Sequence, residues 1–171
     1  MANIDDDESI SLSEETTSKI VDDISTWKWE KDESFLSYQK ALTRKDLEPS
    51  IKKVVSYLKE DFNCRINYLI AWELTRKSEV FAISYKERFG RSFYIVSLLE
   101  DSNVSFIKEG KHDLIFLSKG TIVDVSRYLA TGYTLSFVRD KNIINEKEVK
   151  EKAPEYRTTI LLFCRQKKAY K

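Results

Sequence analysis

Histidine is almost missing from this chain: His112 is the only one in 171 residues. One histidine cannot supply the multi-histidine ligand sets of catalytic zinc sites. It could still serve as a general base for Cys64 or Cys164, the two cysteines. Cys64 follows the end of an expected helix, where the backbone dipole does not favour a thiolate. Cys164 lies in an apolar run and reads as a small buried hydrophobe. His112, within Gly110-Lys111-His112-Asp113, reads as an ordinary turn residue. The cysteines lie 100 positions apart and are read as free thiols of an intracellular protein.

Glycine (four) and proline (two) are scarce as well. That excludes collagen-like and linker-rich architectures and leaves no glycine-rich phosphate loop. No Walker loop, GxGxxG, GxSxG, HExxH or CxxC occurs. No apolar run approaches the roughly 18 residues that span a bilayer. Met1–Glu8 is polar and acidic, unlike the basic start of a secretory signal. Asp5-Asp6-Asp7-Glu8 lacks the glycine-centred geometry of a calcium loop. These absences lead to the expectation of a non-enzymatic protein without metal or cofactor and without membrane attachment. The expected location is cytoplasmic, with the nucleus as the alternative.

What the chain has is charge, unevenly placed. Residues 1–33 carry eleven acids against three bases, a net of −8, whereas residues 34–171 carry 26 bases and 17 acids, a net of +9. The expected organisation is an acidic, partly disordered arm over 1–33 with one short helix, and a single basic α+β domain over 34–171. Such asymmetry points to an anionic partner, or to an arm that shields the body from one.

Within the arm, residues 1–10 are expected to be disordered, because acidic repulsion has little apolar burial to offset it. A helix is expected from Ser11, with Ser11 and Glu14 at capping-box spacing and Ile20, Val21, Ile24 and Trp27 on one side. Trp27 and Trp29 then either anchor the arm to the body or form an aromatic recognition element. A second helix is expected over 33–45. A third begins at Pro49, with Ile51, Val54, Val55, Leu58 and Phe62 at helical spacing.

After Cys64 the apolar period changes from helical to two. Strands are expected over 66–74, 81–85, 93–99, 104–108 and 114–118. Their short polar connections imply an antiparallel, possibly curled meander of about five strands. A helix over 121–131 capped by Gly132, a strand over 133–137, a charged segment over 142–152 and a strand over 158–166 complete the pattern. Thr158–Gln166 is apolar on both faces, which suits a central strand. The fold class is therefore α+β, with helices first, then the meander, then a helix and two further strands.

Basic residues gather at the connections. In a meander, Lys86, Arg88, Arg91, Lys108 and Lys111 converge at one end, with Phe89 between two arginines. Cations interleaved with an aromatic are the ingredients of phosphate contact and base stacking. The leading functional expectation is an interaction module that binds a protein partner through an exposed sheet edge or groove. The alternative is an RNA or single-stranded nucleic-acid binder using this rim, regulated by the acidic arm. A further alternative is a small-molecule carrier with an apolar pocket inside a curled sheet.

Overall fold

The computed structural model describes residues 9–32, 35–42, 47–74, 81–84, 89–136 and 158–166. The expected charged segment over 142–152, and Lys86 and Arg88 of the expected rim, lie outside these residues.

Two mainly antiparallel sheets pack face to face. The elements are β1 (Ser9–Ser11), α1 (Glu14–Ile24), β2 (Glu30–Asp32), β3 (Phe35–Ala41), α2 (Pro49–Phe62) and β4 (Tyr68–Leu74). After them come β5 (Phe81–Ser84), β6 (Phe89–Ser97), β7 (Ser102–Lys108), β8 (Lys111–Leu117) and β9 (Thr121–Asp124). The chain continues with α3 (Ser126–Leu129), β10 (Thr134–Ser136) and β11 (Thr158–Gln166). The larger sheet has the order β1-β9-β6-β11-β4-β3-β2, and the smaller β5-β10-β7-β8.

β11 lies centrally in the larger sheet, between β6 and β4, with Leu162 opposite both Ile95 and Ile70. Its period-two alternation feeds two separate cores. Ile160, Leu162 and Cys164 enter the core between the sheets, with Phe93, Phe106 and Leu135. Leu161 and Phe163 enter a second core beneath α1 and α2, with Ile20, Ile51, Val54 and Leu58. A strand covered on both sides has no wet face, hence its unbroken apolar run.

α2 follows its sequence pattern. Pro49 occupies the first turn, where its missing N–H costs nothing, and Asn63 ends the helix with φ 50°. α1 is capped two residues later than its spacing suggested: the Ser13 hydroxyl, not that of Ser11, accepts from the Thr16 N–H at 3.1 Å. Ser11 is instead in β1, opposite Thr121.

Several expectations need correction. The helix expected over 33–45 gives way, in the residues described there, to strand: residues 35–41 form β3, which pairs with β4 along its whole length. The sheet offered this segment seven cross-strand partners, and tertiary pairing overrode a short helical pattern. The expected helix over 121–131 is instead strand β9 over its first four residues, followed by one turn of α3. The five-strand meander is absent. Of the five strands expected in it, only β7 and β8 are hairpin neighbours, whereas β4, β5 and β6 alternate between the two sheets. A short connection can step across the roughly 10 Å between packed sheets as readily as it turns within one. Ser9 and Ile10, expected to be disordered, pair with Val123 and Ile122.

No helix among the described residues is long and apolar enough to cross a membrane. Cys64 and Cys164 are free thiols, the first partly buried and the second fully.

Candidate functional site

Chain direction brings one set of elements to a single end of the sandwich. β9 belongs to the larger sheet and β10 to the smaller, so the α3 segment between them crosses from one to the other. It is fastened to β6: Val125 N–H donates to Phe93 O at 2.9 Å, and Phe93 N–H donates to Ser126 Oγ at 2.9 Å. The Asp124 carboxylate accepts from Ser126 N–H at 2.9 Å and holds the start of the turn.

Tyr128 is the pivot of this end. Its ring stacks on Phe106 with centroids 4.5 Å apart and planes 7° from parallel, and meets Tyr133 edge-on at 5.3 Å. Both geometries satisfy the ring quadrupole. Above these rings sit two cations. The Arg127 guanidinium lies 4.8 Å from the Tyr128 ring centroid and donates to the Tyr128 hydroxyl at 3.2 Å. Lys108 Nζ lies 5.7 Å from the Tyr133 centroid and donates to Thr131 O at 2.6 Å. Gly132, at φ 95°, supplies a left-handed backbone conformation beside Lys108 that other residues rarely adopt. Among the described residues, neither cation has a carboxylate partner; the ion pairs there are Lys19–Glu15 and Lys40–Glu48.

The expected rim is only partly assembled. Lys108 and Lys111 face each other across the β7–β8 hairpin, whose Glu109-Gly110 turn has both φ values positive, at 46° and 80°. Arg91, exposed, is near the start of β6, the strand end to which α3 is fastened. Phe89 must be removed from the rim, because it is fully buried in the inter-sheet core and its ring cannot stack on a ligand. Arg127, Tyr128 and Tyr133 were missed. Each looked ordinary in sequence, Arg127 as a polar helix position and the tyrosines as core; only the crossing of α3 sets them beside Lys108.

Trp27 and Trp29 lie elsewhere, over the edge of the larger sheet. Trp27 is buried, stacks on Tyr38 at 4.4 Å, and donates its indole N–H to Glu48 Oε1 at 2.8 Å. Trp29 donates to Ile24 O at 3.0 Å. Lys40 also reaches Glu48 Oε1, at 3.3 Å. Burial pushes the Glu48 carboxyl up, but hydrogen bonds from Trp27 and the backbone, with the Lys40 charge, hold it below its ordinary value. On the helix-covered face, burial is the main cause that pushes the Tyr94 phenol up, with Cys64 and Asp124 adding to it.

No protein-family model matches the chain, and no curated protein matches it in sequence. Solved structures do match it in shape. The structure of OsALKBH1 is similar with a TM-score of 0.58 at 9% identity, covering 93% of this chain and 98% of that one. A 2OG-Fe(II) oxygenase-family oxidoreductase from Burkholderia pseudomallei is similar with a TM-score of 0.56 at 9% identity, covering 93% and 84%. A Pseudomonas putida prolyl-4-hydroxylase is similar with a TM-score of 0.51 at 5% identity, covering 94% and 92%. At such identities the likeness is one of fold: a jelly-roll-like sandwich of two sheets.

This finding overturns the expectation of a non-enzymatic interaction module, and the nucleic-acid-binding and carrier alternatives with it. Missing sequence motifs had suggested no enzyme, yet the solved structures of similar shape include an oxidoreductase and a prolyl-4-hydroxylase. Fold alone does not transfer the chemistry. Non-haem iron oxygenases of this kind hold the metal with two histidines and one carboxylate. The residues of this chain do not fit that group, because His112 is its only histidine and is exposed on β8.

Proposed function

We propose that this chain is an oxygenase-fold protein that takes a small carboxylate-bearing molecule, of the 2-oxoglutarate kind, at the α3 end of its sandwich. The observation that carries the reading is the pair Lys108 and Arg127, two cations steadied on adjacent tyrosine rings without carboxylate partners among the described residues. Guanidinium groups match carboxylates in a fork geometry, and an ammonium supplies a second point charge. The Tyr128 hydroxyl, already accepting from Arg127, is a further polar group at the same place. The name of one structural neighbour supplies 2-oxoglutarate as the first molecule to try.

The test is calorimetric titration of the full-length protein with 2-oxoglutarate, succinate and acetate at fixed ionic strength. Saturable binding of the dicarboxylates, weakened about tenfold or more in Arg127→Gln and in Lys108→Met, is the expected result. A flat titration, or binding that both variants retain, removes the reading.

A further inference from the structure

We infer that this chain closes the α3 end of its sandwich with a stack of aromatic rings and holds no iron of the two-histidine kind, so that its fold stands without the metal for which one structural neighbour's family is named. The inference does not depend on the carboxylate reading above.

The first support is arithmetic of ligands. A two-histidine, one-carboxylate set needs a second histidine, and the sequence has none besides His112. Position then removes His112 itself. In β8, Ile115 and Leu117 are buried between the sheets, while Leu114 and Phe116 are 47% and 57% exposed. Period-two alternation places His112 with Leu114 and Phe116, on the outer face. Among the described residues, no three histidine, cysteine, aspartate or glutamate side chains gather closely enough to hold a metal ion.

The second support is the packing of the α3 end, which is made of rings. Phe106, Tyr128 and Tyr133 form a continuous ring series across the smaller sheet and α3. Across the larger sheet, Tyr68, Phe89 and Phe93 form another, with centroids 6.3 Å and 6.0 Å apart. Phe89, Phe93 and Phe106 are each at most 1% exposed. A hard divalent cation needs polar ligands to repay its lost hydration, and rings packed in this way offer none.

The test uses the full-length protein incubated anaerobically with Fe(II), and separately with Mn(II) as a redox-stable probe, each with and without 2-oxoglutarate. After desalting, elemental analysis is expected to find less than about one-tenth of an equivalent of either metal per chain. The melting temperature is expected to be the same with added metal and with EDTA, since a ligand that binds only the folded state would raise it. Stoichiometric metal, or a melting temperature that rises with metal and falls with EDTA, overturns the inference, whether or not His112→Ala abolishes the effect. Tyr128→Leu tests the closure directly and keeps most of the buried volume. It is expected to lower the melting temperature by several degrees with metal uptake still absent, and an unchanged melting temperature would refute the ring stack as the closing device. Failure of the carboxylate titration would leave all of these results standing.

Discussion

Trp27 and Glu48 meet at 2.8 Å although they lie 21 residues apart, one at the end of the acidic segment and the other at the N-cap of α2. The contact ties the most negative part of the chain into the sheet-and-helix core. Ser50 reinforces it one turn away, donating its hydroxyl to the Asp23 carboxylate at 2.5 Å. The acidic segment thus lends side chains to the packing and is more than a charge appended to a basic body.

Removing that tie should be costly. In Trp27→Phe, Glu48 Oε1 keeps Lys40 but loses the indole, while Oε2 is already buried without a hydrogen-bond partner. A destabilisation of about 1–3 kcal/mol is expected, from the lost bond and imperfect ring replacement. Urea unfolding monitored by circular dichroism measures it, and a midpoint equal to that of the unsubstituted protein would refute it.

The same carboxylate sets an acid limit. Glu48 has a depressed folded-state pKa, so the stability it contributes is present above the unfolded-state value and is lost as pH falls through the folded-state value. Glu48→Gln should therefore flatten the fall of melting temperature on the acid side of pH 4.5, the ordinary value of the group. If both proteins lose stability equally across that range, Glu48 is not responsible.

Deleting residues 1–33 removes β1 and β2 from the larger sheet, and with α1 it removes Ile20 and Ile24 from the second core. The truncated protein is expected to lose its cooperative thermal transition. A sharp calorimetric peak from the truncated chain would show that residues 34–171 fold alone.

Phe106 carries the inter-sheet core and the ring stack together, and is fully buried. Phe106→Ala should cost about 3–5 kcal/mol, through lost transfer energy and the cavity left behind. The exposed Phe116, on the neighbouring strand β8 and its opposite face, should cost under about 0.5 kcal/mol when replaced by serine. Parallel denaturant titrations of the two variants compare them; similar losses would contradict the assignment of faces.

How much of this was readable beforehand varies by element. β4, β7 and β11 were legible because alternation with a long apolar run reports burial directly, and β11 was legible as central because both of its faces are apolar. α2 was legible from Pro49 and its helical spacing. β3 was not, since Phe35, Leu36, Tyr38, Ala41 and Leu42 satisfy a helical period while the partner that made them a strand, β4, lies about thirty residues later. Among site residues, Lys108 and Lys111 were legible as cations at a turn. Arg127 and Tyr133 were not, because nothing local marks a residue whose role depends on a crossing between sheets.

By itself, the sequence determined the inventory: one histidine, two separated thiols, few glycines, an acidic first segment and strands with the alternation of buried sheets. An inventory settles what cannot be built, and a two-histidine iron site is among those things. Only the tertiary structure decided which strands pair, that they divide into two sheets, and that Lys108 and Arg127 come to lie over neighbouring rings. The physical reason is range. Period and composition act over a few residues, whereas pairing is chosen by the joint burial of segments as distant as β4 and β11, and the chemistry of an end of the sandwich exists only after that choice is made.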